Sequence, residues 1–185
     1  TIEPLDTGII IIEANNSLLG TVADEMVFSS NDLPIGISIS LSMTGSEVNE
    51  LNGDLSGTYP SEIYRVSGDL TIASSDTVIL QAGTELLFDG EYDFTIYGIL
   101  KAIGTETDSI IFDNYGEERW RGCTLENVTD ETVFEYVRIS GAKKYDGGGM
   151  YLYNSHPTLN YVTIIGNTAE VFGGGMSLDN SHPTL

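Results

Sequence analysis

A repeated segment near the C-terminus constrains the fold of this chain more than any other feature. Residues 147–159 read GGGMYLYNSHPTL, and residues 173–185 read GGGMSLDNSHPTL. The offset between the copies, 173 − 147, is 26 residues. A period of this length, rich in Gly, Asn and β-branched residues and without a helical run, is typical of a solenoid whose coils stack strand upon strand. The repeat therefore predicts an all-β solenoid.

Comparison of the two copies separates buried positions from exposed ones. Met150 and Leu152 recur unchanged, whereas Tyr151 and Tyr153 are replaced by a serine and by Asp179. Because successive side chains of a strand point to opposite faces of a sheet, we expect the unchanged pair to face the core and the tyrosines to face outward.

A second pair of segments, 134–141 (FEYVRISG) and 159–166 (LNYVTIIG), aligns with an offset of 25, from 161 − 136. This offset is one residue shorter than that of the glycine triplets. Strands cannot slip by one residue without turning buried side chains outward, whereas turns absorb insertions. We therefore expect the extra residue in the connecting turn, where 167–172 corresponds to 142–146.

Strands one coil apart in such a solenoid lie about 4.8 Å apart, so equivalent residues stack. We expect Asn154 to lie under Asn180 in an amide ladder. The glycine triplets, which include Gly149 and Gly175, are expected to form tight bends with positive φ.

The two histidines, His156 and His182, occupy the same N-S-H-P-T turn of the repeat. A residue that recurs once per coil is more readily explained as a structural turn residue than as a catalytic one. Stacking would bring both imidazoles near one metal ion, but no third ligand recurs beside them, which argues against a zinc site.

Residues 1–50 differ from the rest of the chain. Apolar segments at 8–14, 22–28 and 35–43 predict three strands, which form either a small β-sandwich or a cap on the solenoid. The polar segment 44–50 is the expected linker to a parallel β-helix over residues 51–185. We expect that helix to be right-handed, since connections between parallel strands almost always are.

Short strands alternate with Gly, Ser, Asn and Asp turns throughout residues 51–185. Trp120 falls within one of them and is expected in the core. The predicted strands cover residues 64–72, 77–80, 85–88, 94–102, 109–112, 120–125, 134–139, 150–153, 159–165 and 176–178.

The chain is strongly acidic, with 28 Asp and Glu against 7 Lys and Arg and a net charge of −21. It lacks the basic stripe that phosphate neutralisation requires, so nucleic acid is not an expected partner. Clustered carboxylates admit calcium as a cofactor, although no loop has the D-x-[DN]-x-[DN]-G spacing. The longest aliphatic run, Ile9 to Ile12, is far shorter than the roughly 20 residues that cross a bilayer. Cys123 is alone, so no intrachain disulfide is expected.

Several segments of residues 64–114 share a pattern, namely VSGDLTI, TVILQAGTELLFDG and FTIYGILKAIGTETDSIIF, and WRGC follows at 120–123. This succession resembles the opening coils of bacterial right-handed parallel β-helix proteins of the pectin-lyase-like superfamily. The resemblance covers about residues 57–185 and implies a single-stranded parallel β-helix in an extracellular or cell-surface protein of bacterial origin. The scaffold carries polysaccharide lyases and hydrolases as well as adhesins, so the resemblance alone assigns no activity.

Outward tyrosines and acids are the candidate ligand-binding residues. Tyr151 and Tyr153 are expected beside Tyr145, where aromatic rings stack on sugar faces or on a protein partner. Asp146 and Asp179 are the acids expected next to them.

Two kinds of enzyme site are alternatives, and neither assigns a catalytic residue. A glycosidase needs two carboxylates about 5 to 9.5 Å apart, and Asp146, Asp179, Glu135 and Glu170 are outward candidates. The resemblance implies that a lyase would pair calcium-binding acids with a basic residue. Arg138, Lys143 and Lys144 form the tightest basic group of the sequence, beside Asp146.

The sequence stops at Leu185 within a repeat and without a polar cap. Solenoids need caps, because an open coil exposes apolar side chains and strand edges. Of two explanations, we favour the first: the sequence is part of a longer protein, in which the β-helix continues beyond this end. In the second, the open end docks onto another subunit to build a filament. The segment Ile9 to Ile12 is a candidate docking strand.

These features together favour an extracellular structural or adhesive surface protein that presents a rigid acidic β-helix, with polysaccharide or a second copy of the chain as partner. A carbohydrate-active enzyme on the same scaffold, lyase or hydrolase, is the alternative. The two differ in whether outward charged side chains converge in a groove or spread evenly along the coils.

Overall fold

The computed structural model describes residues 49–185, which form a parallel β-solenoid of about five turns without helices. The predicted fold class is thereby confirmed, while right-handedness remains a prediction. The strands predicted between residues 8 and 43, and the docking segment within them, lie outside the described residues. The first described strand begins at Asn49, inside the polar segment that was predicted to be a linker.

The described residues form seventeen short strands. They are β1 (Asn49–Asp54), β2 (Gly57–Tyr59), β3 (Ile63–Ile72), β4 (Thr77–Leu80), β5 (Glu85–Phe88), β6 (Phe94–Ile96), β7 (Ile99–Ile103), β8 (Ile110–Asn114), β9 (Cys123–Glu126), β10 (Val133–Glu135), β11 (Val137–Ser140), β12 (Lys143–Asp146), β13 (Met150–Tyr153), β14 (Thr158–Asn160), β15 (Thr163–Ile165), β16 (Thr168–Phe172) and β17 (Met176–Asp179).

These strands stack into three faces of the solenoid. Face A contains β5, β8, β11 and β15, face B contains β6, β9, β13 and β17, and face C contains β2, β4, β7, β10 and β14. Strand β3 belongs to both A and B, because residues 63–66 pair with β5 and residues 70–72 pair with β6. Strands β12 and β16 pair only with each other, at the corner between faces A and B. We call this two-stranded sheet the wall.

Apolar side chains from the three faces fill the interior of the solenoid. Phe94 from face B packs edge-on against Phe112 from face A at 5.8 Å, and Phe112 packs edge-on against Phe134 from face C at 6.5 Å. All three rings are fully buried. Burying a side chain of this size contributes about 1.5–3 kcal/mol, so the faces are joined by their shared core.

The orientation of the repeat follows the comparison of its two copies. Met150 and Leu152 are fully buried, and Tyr153 is exposed. Strands β13 and β17 are in register, with Met150 beside Met176 and Leu152 beside Leu178. Met150 and Leu152 therefore face the core, and the variable residues lie on the outer side of face B. In the second copy Met176 is only partly buried against the core, and Leu178 is 49% exposed.

The one-residue difference between the two repeat offsets lies inside the wall. Lys144 pairs with Ala169, an offset of 25, whereas Asp146 pairs with Phe172, an offset of 26. The extra residue is accommodated by an irregularity between two paired strands rather than by a free turn. A strand outside the core tolerates this, because a bulge there turns no core side chain outward.

The NSHP segment forms the corner between faces B and C, and its asparagines adopt the left-handed conformation. Asn154 and Asn180 both have φ of 47°, and Asn180 Nδ2 donates a hydrogen bond to Asn154 Oδ1 at 2.5 Å. Asparagine tolerates this conformation better than most residues. Asn127 occupies the same corner one coil earlier, with φ of 56°.

The serine of the same segment links three successive coils. The backbone N–H of Val128 donates to Ser155 Oγ at 3.2 Å, and the backbone N–H of Ser155 donates to Ser181 Oγ at 2.9 Å. The Ser155 hydroxyl itself lies 3.0 Å from Leu125 O and 2.8 Å from Tyr153 O. Buried backbone groups that the tight corner leaves unpaired are satisfied in this way.

The glycine triplets differ from the expected pattern. Only the first glycine of each triplet, Gly147 or Gly173, has positive φ. Gly149 is required for a different reason, since a Cβ atom there would lie 2.8 Å from Gly175 O. At Gly175 a Cβ would meet only an ordinary contact at 3.5 Å. Close approach of backbones, and not a special φ, therefore explains Gly149.

Trp120 lies in the core, but in the loop before β9 rather than in a strand. Its ring stacks on Phe88 at 4.1 Å, and its Nε1 donates to Ser140 O at 2.7 Å. The ring is fully buried. The segment 119–121 is thereby held against the solenoid, with its neighbouring side chains outside.

We expect Ser155→Ala to lower the free energy of unfolding by about 1–3 kcal/mol, because it leaves the buried Val128 N–H without its acceptor. Urea unfolding followed by far-UV circular dichroism measures the change. Ser140→Ala is the matched control: Ser140 is also buried, but its hydroxyl has no hydrogen-bond partner among the described residues. Equal losses in the two variants would contradict the assigned role of Ser155.

Candidate functional site

Four chain segments stack at the corner between faces A and B. The backbone N–H of Arg121 donates to Tyr92 O at 2.9 Å, and that of Lys143 donates to Trp120 O at 2.7 Å. One coil further on, the N–H of Thr168 donates to Ala142 O at 2.9 Å. Residues 91–93, 119–121, 143–145 and 168–170 are therefore successive rungs of one column, of which β12 and β16 are the last two.

A cleft of about 630 Å³ opens along this column. Its volume falls in the range of small-molecule sites. Its lining residues are Glu91, Asp93, Glu118, Arg119, Arg121, Lys143, Lys144, Tyr145 and Glu170. Four of the seven Lys and Arg residues of the chain are among them. In a chain of net charge −21, this is a local concentration of cationic residues.

Each of three cations in the cleft is paired with an acid. Lys144 Nζ lies 2.7 Å from Asp93 Oδ1, an Arg121 guanidinium nitrogen lies 3.1 Å from Glu91 Oε2, and Lys143 Nζ lies 3.7 Å from Glu170 Oε1. The last two pairs are half exposed, and such pairs contribute about 0–1 kcal/mol to stability. The groups of these two pairs therefore remain available to a ligand at little structural cost.

Lys144 fixes the wall to face B. Its side chain is 22% exposed, and its ammonium group donates both to Asp93 and, at 2.5 Å, to Thr124 Oγ1 on strand β9. An ammonium group has three N–H donors, so one remains for a ligand. Because both partners accept hydrogen bonds from the protonated amine, the geometry suits a donor rather than a general base.

Arg119 is held in place by two neutral hydrogen-bond acceptors. Its guanidinium group donates to Thr168 Oγ1 at 2.7 Å and to Gly166 O at 2.8 Å. Within residues 49–185 it takes part in no ion pair. A guanidinium group has five N–H donors in a planar fork, so several remain for a ligand.

Tyr145 and Asp146, both predicted as ligand-binding residues, lie on opposite sides of β12. Tyr145 lines the cleft, and 64% of it is exposed. Asp146 is half-buried, and its Oδ1 accepts a hydrogen bond from the backbone N–H of Phe172 at 3.1 Å. Tyr145 is thus free to contact a ligand, whereas the Asp146 carboxylate also helps to hold the two strands of the wall together.

The other three predicted residues, Tyr151, Tyr153 and Asp179, lie on face B. Burial raises the pKa of Tyr151, and the negative charges of Asp179 and Asp146 and a hydrogen bond to Asp179 raise it further. Tyr153 stands beside Asp179 in the paired strands β13 and β17. The structure therefore brings Asp146 and Asp179 around one tyrosine, next to the wall.

The basic group differs from the one predicted. Arg138 is exposed on face A and does not line the cleft, where Lys143 and Lys144 are joined by Arg119 and Arg121. The sequence contained a signal for the arginines, because Arg119 and Lys143 are 24 positions apart, which is close to the length of one coil. Residues one coil apart are expected to stack at the same corner. Of the remaining predicted acids, Glu170 lines the cleft and Glu135 lies on face C.

The geometry of the histidines does not fit a shared metal ion. The rings of His156 and His182 are parallel, with centroids 5.7 Å apart, and the backbone N–H of His182 donates to His156 Nδ1 at 3.1 Å. Rings related by translation separate equivalent nitrogens by about the centroid distance, whereas two nitrogens on one zinc ion lie at most about 4.2 Å apart. Residues 49–185 contain no group of three or more His, Cys, Asp and Glu placed to hold a metal.

Two further properties of the described residues bear on the site. Burial raises the pKa of the Cys123 thiol, which faces the core and is not positioned as a nucleophile. In the same part of the chain, no helix has the length and apolarity needed to cross a bilayer.

Comparison with known proteins identifies no relative of this chain. Neither a protein-family model, nor a curated protein, nor a solved structure matches it. The argument for function therefore rests on the geometry and chemistry of the cleft and of face B.

The raised pKa of Tyr151 predicts that this residue contributes to the pH dependence of the unfolding free energy in alkaline solution. Because the folded state raises its pKa above the usual 10.0, the folded protein holds the phenol proton more tightly than the unfolded chain. The associated stability is present below pH 10 and is lost as the pH rises through the folded-state pKa. We expect Tyr151→Phe to reduce the loss of unfolding free energy above pH 10, measured by urea unfolding at a series of pH values. The same slope in both proteins would contradict this assignment.

Proposed function

We propose that the chain is an extracellular structural or adhesive surface protein that binds a polysaccharide in the cleft beside the wall. One observation carries the proposal: four of the seven cationic residues converge with the exposed Tyr145 in a single cleft. If the charged side chains served only to solvate the surface, they would be expected to spread evenly along the coils. Outward charges that meet in a groove are what a ligand site requires.

The chemistry of the cleft suits a sugar. A pyranose ring presents hydroxyl groups at its edge and C–H groups on its face. Carboxylates accept hydrogen bonds from sugar hydroxyl groups, and the free N–H groups of Arg119 and Lys144 donate to hydroxyl oxygens. Tyr145 supplies an aromatic surface. Both kinds of group are present within one cleft.

The charge balance favours a neutral polysaccharide over a polyanion. Four acids line the cleft beside the four cations, and three cations are already paired. Outside the cleft, a chain of net charge −21 repels anionic polymers. A neutral glycan avoids this repulsion and still uses every hydrogen-bonding group.

The extracellular location and the bacterial, pectin-lyase-like origin are parts of the same proposal. The segments within residues 64–114 support them by their resemblance, and the parallel solenoid is consistent with that superfamily. A rigid stack of coils also suits a structural role, since each coil is hydrogen-bonded to its neighbours on all three faces.

A carbohydrate-active enzyme is the second candidate, because Asp146 and Asp179 both act on Tyr151. Two observations make it weaker than binding. Asp146 already accepts a backbone hydrogen bond, and Lys144, the most enclosed cation of the cleft, is engaged by Asp93 and Thr124. Release of reducing sugar or of unsaturated uronate from polysaccharides, with and without calcium, would favour the enzyme.

We expect the protein to bind neutral polysaccharides on a glycan array and in isothermal titration calorimetry. Tyr145→Ala and Lys143→Ala should each weaken binding about threefold to tenfold, since an aromatic contact of about 0.5–1.5 kcal/mol or a hydrogen bond of similar size is lost. Both side chains are at least half exposed, so neither change should unfold the protein.

The controls are Tyr161→Ala and Arg138→Ala, which remove a tyrosine and a cationic side chain from exposed positions that do not line the cleft. Binding should change little on raising the salt concentration, because a neutral ligand has no charge to screen. Equal losses in control and cleft variants, or a steep salt dependence, would count against a neutral glycan in this cleft.

A further inference from the structure

The outward residues of face B form a column in which tyrosines alternate with acids. Glu126 pairs with Tyr153, and Tyr153 pairs with Asp179, in the parallel strands β9, β13 and β17. Tyr97 immediately follows β6, which pairs with β9, and it shares a second surface cleft with Glu126. The column therefore reads Tyr97, Glu126, Tyr153, Asp179, with one residue from each successive coil.

The two tyrosines of this column are exposed to a similar extent. Tyr97 is 42% exposed, and Tyr153 is 41% exposed. They are two coils apart, which corresponds to roughly 10 Å along the axis at about 4.8 Å per coil. Two tyrosines that face solvent at this spacing form an aromatic platform on an otherwise polar face.

The rise of one coil is close to the length of one pyranose unit in an extended glycan. A glycan parallel to the axis would therefore place one sugar over each coil. A sugar over a tyrosine stacks its C–H face on the ring, and a sugar over a carboxylate donates hydroxyl protons to it. Tyr97 and Tyr153 would stack on units i and i+2, and Glu126 would accept from the unit between them.

The column is continuous with the charged cleft. Thr124, which accepts a hydrogen bond from Lys144 in the cleft, pairs with Tyr151 on the neighbouring strand of face B. Tyr151 interacts in turn with Asp179 at the end of the column. A single polymer can therefore contact the wall along one edge and the column along its face.

We infer that face B binds an extended neutral glycan along the solenoid axis, one sugar per coil, with Tyr97 and Tyr153 stacking on alternate units. This rests on the proposed function and extends it to a class of ligand. Stacking on both tyrosines requires sugar rings that lie in one plane, as in diequatorially linked pyranoses. Chains that coil, such as α-linked glucans, would turn successive rings away from the platform.

The test uses cello-oligosaccharides of two to six units, with malto-oligosaccharides of equal length as the coiled counterpart, in isothermal titration calorimetry. Affinity for the cello series should rise steeply between the disaccharide and the trisaccharide, the shortest chain that reaches both tyrosines. Tyr97→Ala and Tyr153→Ala should each weaken binding of the hexasaccharide about threefold to tenfold. The two effects should multiply in the double variant, because the rings are far apart.

For the disaccharide, we expect each single variant to lose about twofold at most, since the ligand still stacks on the remaining ring. Tyr161→Ala, at an exposed tyrosine on another corner, should change no affinity, and circular dichroism checks that every variant is folded. Equal affinity for the malto and cello series would overturn the inference. So would the absence of a rise in affinity between two and three units, together with an unchanged affinity in Tyr97→Ala.

The outcome also separates this inference from the proposal on which it rests. If Tyr145→Ala and Lys143→Ala weaken glycan binding while Tyr97→Ala and Tyr153→Ala do not, the axial platform is wrong and the cleft remains a glycan site. If the column variants weaken binding and the cleft variants do not, the ligand binds face B without the cleft. Absence of binding to every glycan would overturn both.

Discussion

Parallel, in-register hydrogen bonding between coils is the constraint on which the rest of this structure depends. Because each strand of face B pairs in register with the equivalent strand of the next coil, its side chains lie directly over their counterparts. Core positions must then remain apolar from coil to coil, and polar corner groups must find partners along the same column. The ladder formed by Asn154 and Asn180 and the bonds through Ser155 are solutions to this requirement. The same stacking produces the functional columns, since exposed residues are also repeated along the axis.

Much of this architecture could be predicted from the two copies of the repeat. Strict periodicity predicts parallel stacking, and the contrast between Met150 or Leu152 and the neighbouring tyrosines predicts which side faces inward. The wall could not be predicted in the same way. Its two strands, β12 and β16, lie at a corner outside the core and pair only with each other. Trp120 lies in the core as predicted, but its ring enters from a loop, whereas the sequence pattern had placed it in a strand.

The charged cleft illustrates why a site is harder to predict than a fold. Lys144 and Asp93 are 51 positions apart, and their contact requires knowledge of how two coils meet at one corner. The closeness of Arg138 to Lys143 and Lys144 in the sequence suggested that all three form one basic group. Neighbouring strands of a solenoid belong to different faces, however, and Arg138 lies on face A while the lysines lie on the wall. Arg119 and Arg121 join the cleft because Trp120 between them is anchored in the core, which turns both arginines outward.

Strand β3 runs without interruption from face A to face B. The hydrogen bonds between coils are directed along the axis, so a tensile force on the two ends of the stack acts on them in parallel. Because two faces are joined through one strand, pulling this coil away from the next one loads the hydrogen bonds of both faces together. A tether built in this way resists rupture as a unit, whereas a hairpin under the same pull would unzip one bond at a time.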